Sequence, residues 1–203
     1  RERLGGRQAR LVAAVHQEAP HLLEGHASDQ VLDIDAAVAE GATLLVRPIR
    51  PDDEAMMVRF HEGLSDRSVS LRYFHMMTLA SRTAHPRLSR VCAVDFEREF
   101  VLVAEGKDPV SGAPAILGVA RLERAGGGGA AEFAVVVADR YQGMGVGGAL
   151  MRQLVAIARQ EGVSRLRADI LSGNGPMRRL CARTGIPVRP TSDPDIVAAD
   201  LAV

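Results

Sequence analysis

The sequence predicts a mixed α/β (α+β) fold, in which one mostly antiparallel sheet of about 6–7 strands is flanked by helices. Three observations carry this prediction. Apolar, β-branched runs at residues 100–105, 116–123 and 132–137 follow one another with turn residues between them. A pattern of helical period covers residues 147–161, and strand and helix patterns alternate after it. The predicted order of the main elements is β-α-α-β-β-β-α-β-α-β, preceded by a helical N-terminal appendage, and a further short helix is predicted at residues 86–94.

Composition and charge are those of an ordinary soluble globular protein. The 203 residues are 47% apolar, and 25 basic residues balance 25 acidic ones, which argues against nucleic-acid binding. Cys92 and Cys181 are too few for a disulfide framework or a zinc site and indicate a reducing, cytoplasmic compartment. The longest strictly apolar run, residues 133–138, is too short for a membrane span. A start at Arg1 rather than Met is consistent with a fragment.

Residues 1–42 are predicted to form a helical N-terminal appendage or linker, and residues 43–203 the main domain. Apolar residues between positions 11 and 19 fall on one helical face, and Pro20 ends that helix. A second, weaker helix is predicted over residues 29–40. Three histidines of this segment recur every five residues, which predicts scattered surface positions rather than a metal site: His16, His21 and His26.

The main domain begins with a strand and three helices. The strand pattern covers residues 43–50, and Pro51 followed by three acidic residues is typical of a helix start. The apolar face of this first helix consists of Met56, Met57, Phe60 and Leu64. Two further helices are predicted over residues 67–74 and 86–94.

The remaining elements complete the sheet. A turn at residues 107–112 separates the first two of the three central strands, and glycines at residues 126–129 separate the second from the third. The helix over residues 147–161 buries a broad apolar face. A strand at residues 165–171, a helix at residues 174–184 and one or two short strands in the proline-containing tail follow.

A glycine-rich turn joins the third central strand to the long helix. The turn and the first helical residues are Gln142, Gly143, Met144, Gly145, Val146, Gly147 and Gly148. The first N–H groups of a helix have no partner within it and lie at the positive end of its dipole. Glycines also let a phosphate approach the backbone closely. The turn is therefore predicted to bind a phosphate-bearing small molecule.

One interpretation of this turn is a dinucleotide site, because Gly143, Gly145 and Gly148 match G-x-G-x-x-G. A Rossmann turn places its first glycine almost directly after the strand, whereas residues 138–142 intervene here. About 55 residues follow the motif, too few for a second mononucleotide-binding half and a substrate domain. The dinucleotide interpretation is therefore the weaker one.

A second interpretation rests on two motifs together. Residues 142–147 match Q/R-x-x-G-x-G/A, and residues 174–186 read NGPMRRLCARTGI, one helix and one strand later. Over residues 44–203 the chain resembles the GNAT superfamily of N-acetyltransferases, strand order included. The resemblance implies a GNAT fold, acetyl-CoA as the cosubstrate, no metal, and direct attack of an amine on the thioester.

A subfamily resemblance concerns the acceptor. Residues 47–74, RPIRPDDEAMMVRFHEGLSDRSVSLRYF, and the segment from Glu132 to Ala134 resemble bacterial protein-lysine acetyltransferases that act on acyl-CoA synthetases. This implies a protein lysine as acceptor, with an acyl-CoA synthetase as the candidate target. In those proteins a large regulatory domain often precedes the GNAT domain. Residues 1–42 are too short for one, so we expect it to be absent, removed or replaced.

The resemblance also implies site residues. Glu132 matches the glutamate that those lysine acetyltransferases use as general base, and a base is needed because lysine has a solution pKa of about 10.4. The alternative for Glu132 is a solvated carboxylate at a strand end. Asn174 has the alternative role of a helix N-cap. The expected acetyl-CoA contacts are Val135, Val136, Val137, Gln142, Gly143, Met144, Gly145, Val146, Gly147, Gly148 and Asn174.

Some residues depart from the family pattern. Gln142 takes a position that often holds Arg, and Cys181 takes one that often holds a tyrosine general acid. We interpret Cys181 and Cys92 as buried apolar residues rather than as a proton donor and a nucleophile. Four arginines form a candidate positive face near the acceptor groove, although solvated helix faces explain most of them as well: Arg67, Arg72, Arg87 and Arg90.

The sequence therefore predicts an acetyl-CoA-dependent N-acetyltransferase that acts on an amine, with a protein lysine preferred. Two alternatives stay open, namely a small-molecule amine acetyltransferase and a non-catalytic module that senses acetyl-CoA. The expected partners are acetyl-CoA and the acceptor, with no nucleic acid and no membrane. The oligomeric state is open.

Overall fold

The computed structural model describes residues 34–37, 43–125 and 129–203, which contain one 8-stranded sheet. Its strands are β1 (Ile34–Ala37), β2 (Thr43–Pro48), β3 (Glu99–Lys107), β4 (Pro114–Arg124), β5 (Ala130–Val137), β6 (Arg165–Leu171), β7 (Val188–Pro190) and β8 (Ile196–Ala202). They lie in the order β1-β2-β3-β4-β5-β6-β8-β7. β5 and β6 run parallel, and every other neighbouring pair is antiparallel. The predicted mixed, mostly antiparallel sheet is confirmed.

Six α-helices lie within the described residues: α1 (Glu54–Glu62), α2 (Asp66–Tyr73), α3 (Leu79–Thr83), α4 (His85–Cys92), α5 (Val146–Gln160) and α6 (Gly175–Arg183). Short 3-10 turns at Pro51–Asp53 and Asp139–Tyr141 come before α1 and α5. Five of the helices lie where the sequence predicts them, and α3 has no predicted counterpart. In the part of the chain that the structure describes, no helix has the length and apolar character needed to cross a bilayer.

β1 corrects one prediction. The sequence analysis predicts a weak helix over residues 29–40, but Ile34–Ala37 form a strand that pairs with β2 in the register Ile34↔Val46 to Ala37↔Thr43. Pairing with an otherwise free sheet edge outweighs a weak helical pattern here. The rest of residues 1–42, with the first predicted helix and its histidines, lies outside the described residues, as do residues 126–128. The domain boundary at residue 43 stays a prediction.

The core lies on both faces of the sheet. On one face, α1, α2 and α4 bury a cluster that includes Met57, Phe60, Val69 and Leu88 against β3 and β4. On the other face, α5 lies close to Gly118 of β4, where a Cβ atom would come within 3.0 Å of Leu150 and 3.1 Å of Val146. This close approach fixes the start of α5 against the end of β5.

A buried ion cluster connects β2 to the first 3-10 turn and to β3. Arg47 is 1% exposed and donates to both carboxylate oxygens of Asp53 at 2.7 Å and to Glu105 Oε2 at 2.6 and 2.8 Å. The hydrogen bonds to the Asp53 carboxylate raise the pKa of Arg47. Burial acts to raise the pKa of Asp53, but the bonds from Arg47 and from the Arg50 N–H lower it below its usual value.

Candidate active site

The strands β5 and β6 separate in the middle of the sheet. β5 pairs with β6 only at Ala130, Ala131 and Glu132, whereas its pairing with β4 continues to Val137. Residues 133–137 therefore turn one backbone edge away from β4 with no facing strand, and an extended ligand with amide groups can pair with that edge.

The turn after β5 is shaped for an anion. Gly143 has φ +78° and Gly145 has φ +100°, a region that favours glycine. Gly145 is the N-cap of α5, and no side chain caps the first N–H groups of that helix. The positive end of α5 therefore offers free backbone donors where the sequence predicts a phosphate.

A cleft of about 580 Å³ joins the open edge of β5 to this turn. Ten of the eleven predicted acetyl-CoA contacts line it: Val135, Val136, Val137, Gln142, Gly143, Met144, Gly145, Gly147, Gly148 and Asn174. The exception is Val146, whose side chain is 2% exposed and packs near Gly118 instead. The cleft also has residues from α2 on one wall and from α6 on the other.

Arginines give the cleft a positive charge, and the sequence predicts only some of these arginines. The arginines of the lining are Arg67, Arg72, Arg152, Arg179 and Arg183, and its one carboxylate is Asp139. Arg67 and Arg72 belong to the predicted positive face. The other three come from α5 and α6. Helical spacing places Arg179 and Arg183 on one face of α6, but it does not show that this face borders the cleft.

Asp139 connects the glycine turn to α2. Its carboxylate accepts from the Ser65 N–H at 2.9 Å, from Ser65 Oγ at 2.6 Å and from Ser68 Oγ at 3.0 Å. Burial acts to raise the pKa of Asp139, but these hydrogen bonds lower it. Gln142 extends the network, since its Nε2 donates to Ser68 Oγ and to the Val137 carbonyl at 3.1 Å each. The side chain of Gln142 thus connects the turn to α2 and to the end of β5.

Glu132 stands where β5 and β6 part. It is the last residue of β5 that pairs with β6, opposite Arg167, and it lies opposite Glu123 on β4. Its side chain is exposed and lies outside the lining of the cleft. Burial lowers the pKa of Arg72, which does line the cleft, and the negative charge of Glu132 acts against that lowering.

The second motif combines a structural role with a place in the cleft. Asn174 Oδ1 accepts from the Met177 N–H at 3.1 Å and so caps α6, while Asn174 also lines the cleft. Cys181 is fully buried, and burial raises its pKa to about 11, which suits a packing role. Cys92 is buried in the core with its pKa raised in the same way.

The glycine at the N-cap of α5 is open to a direct test. Gly145→Ala is expected to raise KM for acetyl-CoA by about tenfold or more, because the strained backbone would displace the N–H groups that are predicted to hold the phosphates. Gly112→Ala is the matched control, since Gly112 also has a positive φ (+69°) but does not line the cleft. Steady-state kinetics should show the KM change in Gly145→Ala alone, although both variants lose stability.

His61 of α1 lies beside positive charges. It is 2% exposed, and its Nδ1 has no hydrogen-bond partner among the described residues. Burial first, and then the charges of Arg87, Arg82 and Arg72, lower the pKa of His61 from 6.5 to about 4. The folded protein therefore keeps this imidazole neutral in mildly acidic solution.

This shift predicts a loss of stability in acid. As the pH falls from 6.5 to 4, His61 becomes protonated in the unfolded state but stays neutral in the folded state. The free energy of unfolding should then fall by at most about 3 kcal/mol, at about 1.4 kcal/mol per pKa unit. Urea unfolding at about pH 7 and about pH 4.5, in buffers without phosphate or sulfate, measures this fall in the free energy of unfolding. His61→Asn should flatten this dependence, and His75→Asn, at an exposed histidine, should not.

Comparison with known proteins agrees with this geometry. A family model described as "Acetyltransferase (GNAT) family" matches residues 71–186. An acetyltransferase of Pseudomonas aeruginosa is 28% identical over 146 residues, which are 72% of this chain and 76% of that protein. Acetyltransferase Pat of Mycolicibacterium smegmatis is 32% identical over 158 residues, which are 76% of this chain and 44% of that protein. The chain thus spans less than half of the second relative.

Solved structures show the same fold. The GNAT domain of S. lividans PAT superposes with a TM-score of 0.73 at 28% identity and covers 84% of this chain and 97% of that domain. The PaiA N-acetyltransferase from Thermoplasma acidophilum, solved in complex with coenzyme A, has a TM-score of 0.61 at 14% identity and covers 79% of this chain and 99% of that one. With more than half of its 203 residues matched by the family model, the chain belongs to the acetyltransferase (GNAT) family.

Proposed function

We propose that this acetyltransferase moves the acetyl group of acetyl-CoA directly to a lysine side chain of a protein, with Glu132 as the general base. The observation that supports the proposal is that the cleft joins the α5 N-terminus to the open edge of β5, and that Glu132 lies at the start of this edge, where β5 and β6 part. The preferred target class is an acyl-CoA synthetase, as the resemblance of residues 47–74 implies.

The cleft suits acetyl-CoA in size and charge. Its volume of about 580 Å³ falls in the range of roughly 300–1,000 Å³ that is usual for ligand sites. The free N–H groups of α5 can hold the diphosphate, and the arginines of the lining can neutralise its charge. The open edge of β5 offers partners to the amide groups of the pantetheine arm.

The chemistry requires a neutral amine, a polarised carbonyl and a leaving thiolate. Glu132 would take a proton from the amine, directly or through water, as the amine attacks the carbonyl carbon. Backbone N–H groups of residues 135–137 would stabilise the developing oxyanion. The C–S bond then breaks and the thiolate leaves, which a thiol with a solution pKa of about 8.5 permits without a dedicated acid. Buried Cys181 is unsuited to donate a proton.

The exposure of Glu132 supports a macromolecular acceptor. Its side chain is exposed, so a lysine on the surface of a folded protein can reach it. The resemblance of residues 47–74 to protein-lysine acetyltransferases supports the same acceptor. The cytoplasmic compartment and the bacterial origin stay predictions.

The test follows transfer of radiolabelled acetyl from acetyl-CoA to folded acyl-CoA synthetases, with polyamines and aminoglycosides in parallel. The proposal expects label in a synthetase lysine, dependent on Glu132. Label confined to small amines would favour the metabolite enzyme. Saturable binding of acetyl-CoA without transfer to any acceptor would favour the sensing module and contradict the proposed reaction.

A further inference from the structure

A group of basic side chains lies beside the cleft on helices α1 to α4. We call it the basic cluster, and its members are His61, Arg72, Arg82 and Arg87. Arg82 is 5% exposed, and within the described residues its guanidinium donates one hydrogen bond, from Nη2 to the Leu64 carbonyl at 3.3 Å. Its Nε and Nη1 atoms, together with Arg87 Nε and His61 Nδ1, are buried without a hydrogen-bond partner among the described residues.

Two of the three arginines of the basic cluster pack against one aromatic ring. The guanidinium carbons of Arg72 and Arg87 lie 5.0 and 5.2 Å from the ring centre of Tyr73. In the described part of the chain, no carboxylate forms a salt bridge with Arg72, Arg82 or Arg87. Several positive charges thus lie close together with aromatic contacts but without a salt bridge to any carboxylate of the described residues.

The contrast with Arg47 makes this arrangement informative. Arg47 is similarly buried, and two carboxylates neutralise it. A buried cation without a partner is strongly unfavourable, since it loses hydration and gains no compensating charge. The unpartnered N–H donors of Arg82 therefore indicate that an anion completes the basic cluster.

The position of the basic cluster connects that anion to the acceptor. Arg72 lines the cleft and also interacts electrostatically with both Glu132 and Arg87. A group bound by the cluster would thus lie on the same side of β5 as Glu132. Phe74 and Met76, just beyond the end of α2, are exposed.

We propose that the basic cluster is an anion subsite that binds a carboxylate of the acceptor protein, namely an acidic side chain near the acetylated lysine. Planar guanidinium groups match a carboxylate in shape and charge. The enzyme would thereby select lysines with acidic neighbours. The acceptor part of this inference rests on the proposed function, whereas anion binding can be measured without any transfer.

The kinetic test compares peptides in which Glu replaces Gln at each position near the lysine. For the full chain, kcat/KM should be about tenfold or more higher for the best Glu peptide than for its Gln partner, because a charge-assisted hydrogen bond is stronger than a neutral one. In Arg82→Gln the ratio should fall to about one, while Arg82→Lys keeps part of it. Arg90→Gln, at an exposed arginine on α4, should keep the full ratio.

Binding and stability separate this inference from the proposed reaction. A fluorescent acidic peptide should bind the full chain saturably, with affinity lost in Arg82→Gln but kept in Arg90→Gln, even if no transfer occurs. The Tm of Arg82→Gln should equal or exceed that of the unaltered chain, because an unpaired buried charge is removed. Equal affinity for Glu and Gln peptides, binding of inorganic phosphate alone, or a lowered Tm in Arg82→Gln would each overturn the proposal.

Discussion

Glu132→Gln is expected to lower kcat by about 10²-fold or more and to leave KM for acetyl-CoA nearly unchanged. Gln keeps the size of the side chain but cannot accept the proton of the attacking amine. Acetyl-CoA binding should survive because Glu132 lies outside the lining of the cleft. Steady-state kinetics with the acceptor identified by radiolabel transfer measure both constants.

Glu123→Gln is the matched control for this experiment. Glu123 lies directly opposite Glu132 in the register of β4 and β5 and is also exposed. It forms a salt bridge with Arg121 at 3.1 Å and has no proposed chemical role. Its kcat should change by less than about twofold, as is usual for a surface substitution. If Glu132→Gln kept the activity of Glu123→Gln, another group would have to remove the proton.

Arg47→Met is expected to lower the free energy of unfolding by about 3–5 kcal/mol, which is the usual loss when one partner of a buried ion pair is removed. Asp53 is 1% exposed and would keep its charge without the two short bonds from Arg47. A small domain has about 5–15 kcal/mol in total, so this loss would remove a large fraction of the stability. Urea unfolding monitored by circular dichroism measures the loss.

Arg121→Met is the control for this stability prediction. Arg121 bridges Glu99 and Glu123 on the sheet surface, where water screens the pairs, and its loss should amount to less than about 1 kcal/mol. In the Arg47→Met background, Asp53→Asn should restore part of the stability, because it removes the isolated buried charge. Similar losses of unfolding free energy in Arg47→Met and Arg121→Met would show that burial of the Arg47–Asp53 pair contributes nothing to stability.

The Asp53 interaction also has a pH window. The lowered pKa of Asp53 stabilises the folded state at pH values above the unfolded value of about 3.9, and that stability is lost as the pH falls through the folded pKa. This pH range lies below the one in which His61 affects the stability. Comparing Arg47→Met with His61→Asn across both ranges therefore assigns each part of the acid transition to one group.

Much of the candidate site could be predicted from local pattern. Turn chemistry required glycine at positions 143 and 145, and both have a positive φ at the start of α5. The apolar run before the turn is β5, and the cap residue Asn174 lines the same cleft. Val146 marks the limit of such reasoning, because motif position did not show that its side chain packs near Gly118.

The sequence by itself determined the order of the main strands and helices and the glycine turn, since these depend on periodicity and turn residues within short segments. The family resemblance rested on the motifs at residues 142–147 and 174–186. Only the tertiary structure decided that Ile34–Ala37 join the sheet, that β5 and β6 part after Glu132, and that Arg82 is buried without a counter-ion. These features depend on which distant segments meet. Strand pairing and the burial of a charge are properties of contacts between segments, and a local pattern does not contain them.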